Sequence, residues 1–259
     1  MRKFFKNNLV EVNLILKTVL VTGSSRGIGK AIAKIFLENN FRVCINSHKN
    51  LFELEETLKE FENKFSKKKI MAVQADVSKY EKCLFLFDEI QKKFSDVDIL
   101  INNAGISYFG LFNLMKESEW KNILDVNLNS VINCSHIAIQ SMIKKKSGVI
   151  INISSVWGKV GASCETIYST AKSAVNLFTK SLAKELAPEK IRINAIACGM
   201  IDTKMNNIFD DEEKKNIKMQ IPMDCFGNVD DVAKLTFFLA SDKSKYITGQ
   251  IINLDGGWI

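Results

Sequence analysis

Tyr168 and Lys172 stand four residues apart in the stretch ETIYSTAKSAV (165–175). On a helix that spacing puts a phenol and an ammonium on one face. A free tyrosine, with a pKa near 10, is only about one-thousandth ionised at neutral pH. An ammonium held within a few ångströms strengthens such an acid about 10- to 1000-fold, towards the range useful for proton transfer. The pair is therefore a candidate acid with a cation to tune it. The bland alternative is a surface tyrosine beside a solvated lysine, and the rest of the chain has to separate the two.

A second constellation is the loop TGSSRGIG (22–29), between an apolar β-branched run and a helical pattern. Gly23, Gly27 and Gly29 permit a tight turn, let backbone approach a pyrophosphate and let the helix pack close to the sheet. Together with Ser24, Ser25, Arg26 and Ile28 they form a candidate dinucleotide-binding loop, because a helix start offers N–H groups and a favourable dipole to phosphate. An NAD site usually has an acid near the end of the second strand, to hold the ribose hydroxyls. Here that end reads INSHKN (45–50), with His48 and Lys49 and no carboxylate, and Arg26 is nearby in the loop. Such a corner suits a 2′-phosphate, so NADPH is expected over NADH; otherwise these residues merely begin a surface loop. Asp76 and Val77, after the third strand, are candidates for adenine contact, unless Asp76 simply caps the next helix.

The elements that must position these groups alternate along the chain. Apolar runs at 17–23, 41–46, 70–76, 97–105, 148–155, 191–197 and 250–257 read as strands. Helical patterns at 27–40, 51–65, about 79–94 and about 116–144, and then the segment bearing Tyr168, separate them. Strands that are apolar throughout imply a parallel sheet covered on both faces. The expected fold is α/β: one Rossmann-type, doubly wound domain over 17–259 with about seven strands, after an irregular arm at 1–16. Ligands of such sheets sit beyond the carboxyl ends of the strands. There the sequence puts Gly23–Gly29, Asp76, Asn102–Gly105, Ser154–Ser155 and Gly199.

Bulk properties exclude several classes. The 259 residues are 46% hydrophobic and 25% charged, ordinary for a globular protein. A net charge of +7 admits a nucleic-acid binder, but the dense runs, KKK at 67–69 and 144–146, have no interleaved aromatics for base stacking. A solvated basic face is the expectation, suited to an acidic partner or phosphorylated cofactor. Six cysteines without a CxxC pair point to reduced thiols in the cytoplasm, with no zinc site. No apolar run is long enough to span a bilayer, and the basic start lacks the features of a signal peptide.

TGSSRGIG, NNAG (102–105), NISS (152–155) and YSTAK (168–172) follow in an order and spacing that resemble the short-chain dehydrogenase/reductase family, over nearly the whole chain from about Lys17. That resemblance implies a Rossmann-type domain, usually a homotetramer, reducing a ketone with a nicotinamide cofactor. It also implies that Tyr168 is the catalytic acid/base, Lys172 its partner, Ser155 the orienting hydroxyl and Asn127, in DVNLNSV, the fourth catalytic residue, holding a water. Ser155 is preferred to Ser154 because the family's serine lies thirteen positions before its tyrosine. Asn103, Ala104 and Gly105 would contact the cofactor, with Asn102 tying the central strands. Lys172 would also grip the ribose, and Ile201 and Thr203 in GMIDT would hold the nicotinamide end. Where the family commonly has Pro-Gly after the sixth strand, this chain has Cys198-Gly199.

The charged, methionine-rich segment 200–228 is expected to be the family's substrate lid or a pair of surface helices. NNAGI, MKESEWKNILDVNL and SLAKEL resemble the 3-oxoacyl-(acyl-carrier-protein) reductase branch, which implies a β-ketoacyl thioester substrate on an acidic carrier. SSVWGKVGASCE and the terminal GGWI resemble reductases of a 5-aminopentanone group on a lysine of elongation factor P, with Trp157 and Cys164 near the pocket. A dinucleotide-binding regulatory protein that has lost catalysis is the alternative from another class. It is disfavoured because Asn127, Ser155, Tyr168 and Lys172 all stand.

Overall fold

Seven apolar runs hydrogen-bond into one parallel sheet in a computed structural model that describes residues 16–204 and 209–259. The strands are β1 (Thr18–Val21), β2 (Arg42–Ser47), β3 (Ile70–Gln74), β4 (Ile99–Asn102), β5 (Gly148–Ser155), β6 (Ile191–Cys198) and β7 (Ile251–Leu254). Their spatial order is β3-β2-β1-β4-β5-β6-β7. The helices are α1 (Gly27–Glu38), α2 (Leu51–Lys64), α3 (Tyr80–Lys93), α4 (Glu117–Leu124), α5 (Ser130–Lys145), α6 (Trp157–Val160), α7 (Thr166–Leu186), α8 (Asp211–Met219) and α9 (Val229–Ala240). The expected doubly wound α/β architecture is therefore present, while the arm at 1–16 lies, except for Leu16, outside the described residues.

Alternation along each strand divides the core into two layers. Val19, Val21, Val43, Ile45, Ile99 and Ile101 face Ile32 and Phe36 of α1 and Val232 and Leu239 of α9. Leu20, Cys44, Leu100, Ile150 and Ile193 face Leu86 and Ile90 of α3, Cys134 of α5 and Ala183 of α7. Both faces are apolar because both are covered, so the strands read as continuous hydrophobic runs.

The order reverses at β1 and β4, which are neighbours although β2 and β3 come between them in sequence. Crossovers leave these two strands in opposite directions, opening a crevice at their carboxyl ends. Several strands stop earlier than their apolar runs suggest. In β4 the ladder ends at Asn102, and the N–H groups of Asn103 and Ala104 both donate to Thr22 Oγ1 at 3.0 Å. The chain leaves the sheet there to shape the crevice.

Candidate active site

The glycine loop forms the crevice floor. Gly23 and Gly27 adopt left-handed backbone, φ +61° and +54°, where a side chain is disfavoured. A Cβ on Gly23 would lie 2.8 Å from Ala104 Cα, and one on Gly29 2.5 Å from both Asn103 Nδ2 and Gly23 O. Asn103 donates from Nδ2 to the carbonyls of Thr22 and Gly23, both at 2.9 Å, so its side chain fastens the loop to the end of β4. Ser24 is fully buried; its hydroxyl donates to Val21 O and accepts from Asn46 N, bracing the turn from within. Ser25 is buried and its carbonyl accepts from Thr57, while Ile28 packs against the core. The first turn of α1 has no acidic residue and no side-chain cap. Its N–H groups are thus available to an anion, and the glycine cradle fits a pyrophosphate.

At the ends of β2 and β3, His48 is exposed and its Nδ1 lies 3.6 Å from Asp76 Oδ2. Asp76 also accepts from Ser78 N and Oγ, so it caps its own turn as well as facing His48. Val77 O receives Cys83 Sγ and Asn133 Nδ2, which fixes this rim against α3 and α5. Arg26 Nη1 lies 3.5 Å from Glu53 Oε1, and Lys204 Nζ 3.6 Å from the same oxygen. The rim thus carries His48, Arg26 and Lys204, each beside an acid. Thr203 lies over the glycine loop, its Cγ2 3.9 Å from where a Cβ of Gly27 would stand. Ile201 is buried and bridges to Gly227, so segment 200–227 returns to its starting point. Within that segment α8 is the one helix among the described residues, closed by a reciprocal cap between Asp210 and Glu213.

Tyr168 and Lys172 do share one face of α7. The Tyr168 side chain is hydrogen-bonded to that of Ser155, and Lys172 Nζ lies 5.6 Å from the Tyr168 ring centroid. Ser155, the last residue of β5, also accepts from Trp157 N at 3.2 Å. Its neighbour Ser154 turns the other way and donates to Asn176 Oδ1 at 2.7 Å, anchoring α7 to β5. Asn127 sits in a π-helical turn, Asp125–Asn129, between α4 and α5. Inside the expected continuous helix, that wide turn directs a buried amide to the crevice. Asn127 Nδ2 donates to Ile106 O and Ile123 O, and Oδ1 accepts from Ile106 N. Its side chain therefore pins the loop after β4. A Cβ on Gly105 would be 2.8 Å from Asn127 Oδ1 and 3.6 Å from Lys172 Nζ, so glycine there lets the three groups converge.

The electrostatics correct one expectation. Lys172 Nζ donates to Ile153 O at 2.9 Å. Burial holds the Tyr168 phenol well above its ordinary value, the charge of Glu165 adds to this, and the Ser155 hydrogen bond opposes it. Burial also pushes the Lys172 ammonium down to about 8. Desolvation outweighs attraction for both groups. What results is a phenol that stays protonated at neutral pH, beside an amine able to exchange its proton near neutrality. Cys198, where the turn glycine follows, is pushed up to about 12 by burial, against the pull of Lys172. It is a neutral neighbour of the pair.

Sequence reading missed Glu165. It lines a crevice with Tyr108, Phe112, Met115, Cys164 and Tyr168, and its carboxylate accepts a hydrogen bond from the side chain of Trp157. Trp157 in turn packs edge-on against Trp258, ring centroids 4.9 Å apart. The signal for Glu165 was its place three residues before Tyr168, within one helical turn.

The short chain dehydrogenase family model matches residues 17–214. The chain belongs to that family. As a family member it is an oxidoreductase that interconverts alcohol and carbonyl groups with a nicotinamide cofactor. This short-chain dehydrogenase is 41% identical to a 3-oxoacyl-(acyl-carrier-protein) reductase FabG of Staphylococcus aureus, over 93% of the chain and 97% of the relative. Its identity to the FabG of Aquifex aeolicus is 39%, over 96% and 99%. In fold it is similar to a protein proposed to be a gluconate dehydrogenase from Agrobacterium tumefaciens. That likeness has a TM-score of 0.88 and 32% identity, covering 93% of this chain and 95% of that one. Among the described residues, no helix is long and apolar enough to cross a membrane, and no cluster of side chains could hold a metal.

Proposed function

We propose that this short-chain dehydrogenase is an NADPH-dependent ketone reductase whose substrate is presented on a protein partner. The observation that carries the chemistry is the meeting of Tyr168, hydrogen-bonded to Ser155, with Lys172 beside its ring. When bound, the cofactor supplies hydride to the carbonyl carbon. Ser155 orients the carbonyl oxygen and stabilises its growing negative charge. Tyr168 donates its proton to that oxygen. Lys172, titrating near neutrality, restores the Tyr168 proton and holds the ribose, and Asn127 fixes the loop above them. Gly23, Gly27, Gly29 and the start of α1 hold the pyrophosphate. NADPH is the cofactor in this reading because the β2 rim presents His48 and Arg26 and no acid at the end of the strand; Val77, Ile201 and Thr203 complete the cofactor site.

Two substrates follow. The likeness to FabG supports a β-ketoacyl thioester on acyl carrier protein, an acidic partner for a chain of net charge +7. The cluster Trp157–Glu165–Trp258 favours the second, a 5-aminopentanone group on elongation factor P. The family's usual homotetramer belongs to both readings. The test is an NADPH-oxidation assay with acetoacetyl-acyl carrier protein and with aminopentanone-modified elongation factor P, for the native chain and for Tyr168→Phe. Loss of about 100- to 10 000-fold in kcat with unchanged NADPH affinity is expected for the variant. Turnover that survives the substitution defeats the assigned acid.

A further inference from the structure

Glu165 is out of place in a site that needs a proton donor. Its carboxylate is half-buried and lines the same crevice as Tyr168. Trp157 gives it one hydrogen bond, and no cation pairs with it among the described residues. When Tyr168 gives up its proton the phenol oxygen becomes negative, and a second negative charge nearby opposes that change. A neutral acyl chain filling the crevice would deepen the difficulty, because it removes water from a carboxylate without replacing it.

A cation on the substrate resolves both problems. It would pair with Glu165, cancel its repulsion of the phenolate and so direct its own binding energy into the proton-transfer step. Behind Glu165, Trp157 hydrogen-bonds the carboxylate and packs edge-on against Trp258, and indole faces attract ammonium groups. We infer that Glu165 is the specificity-determining residue of the crevice and that the substrate is a ketone carrying an ammonium group. This rests on the ketone-reductase reading and decides between its two substrates.

The test uses three methyl ketones of equal chain length, ending in an ammonium, a methyl or a carboxylate group, with saturating NADPH. For the native chain, kcat/KM should be at least about tenfold higher for the ammonium ketone than for the methyl one, and lowest for the carboxylate, since a charged hydrogen bond corresponds to roughly 10- to 150-fold. Glu165→Gln should abolish that preference, bringing kcat/KM for the ammonium ketone down to that for the methyl ketone. Glu165→Lys should move the preference to the carboxylate. NADPH affinity, read by fluorescence, should be the same for all three proteins. A native chain that treats the ammonium and methyl ketones alike overturns the inference, without any variant being needed. So does a folded Glu165→Gln that keeps the preference. Turnover of none of the three ketones, and of neither protein-borne substrate, refutes instead the ketone-reductase reading on which the inference stands.

Discussion

Replacing Lys172 with methionine should make the protein more stable at neutral pH, although it removes a residue assigned to the reaction. Lys172 is 5% exposed, and its pKa falls from 10.5 to about 8 on folding. The folded state therefore binds this proton less tightly than the unfolded chain, and below pH 8 it carries the full cost of a buried charge. By linkage the cost is about 3 kcal/mol at pH 7 and about 2 kcal/mol at pH 9, and it vanishes above the unfolded value. Methionine fills similar volume without the charge. Losing the hydrogen bond to Ile153 O offsets about 1–2 kcal/mol of the gain at every pH. The expected result is a variant more stable by about 1–2 kcal/mol at pH 7, with the advantage shrinking by about 1 kcal/mol at pH 9. Urea denaturation of both proteins across that range measures it, because groups common to the two cancel in the difference. An advantage that is constant or grows with pH would refute the claim that burial depresses this amine.

Ser155→Ala should lower kcat about 100- to 1000-fold, with a smaller effect on NADPH binding, as measured by stopped-flow single turnover. Gly29→Ala should weaken NADPH binding at least about tenfold and destabilise the fold by about 1–3 kcal/mol, since its methyl would meet Asn103 Nδ2 and Gly23 O at 2.5 Å. Titration calorimetry and thermal melts report the two effects, and an unchanged melting temperature would contradict the packing described. His48→Asp should lower the preference for NADPH over NADH about 10- to 100-fold by setting a carboxylate against the 2′-phosphate. Steady-state kinetics with both cofactors check it, an unchanged ratio removing His48 from cofactor selection.

The order of elements was legible in the sequence because a parallel sheet buried on both faces writes itself as uninterrupted apolar runs. β5 begins and ends where the sequence placed it, and the helices bearing Gly27 and Tyr168 are where their periodicity put them. The choice of Ser155 over Ser154 comes from the family resemblance, through its distance from Tyr168, and not from the strand pattern. Strand ends were not legible, because they depend on where a backbone N–H finds a partner. Asn103 and Ala104 find theirs in Thr22, 82 positions from Ala104 in the chain.

Amino-acid order alone thus determined the sheet, the glycine cradle and the helical turn shared by Tyr168 and Lys172, all consequences of local period and backbone freedom. Tertiary structure decided the rest. It wound Asn127 into a π-helical turn, aimed the Lys172 amine at a β5 carbonyl and made desolvation, not attraction, set both proton affinities. It also set Trp157 against both Glu165 and Trp258, although Trp258 is the second-to-last residue. Desolvation depends on everything packed around a group, so no short stretch of sequence contains it.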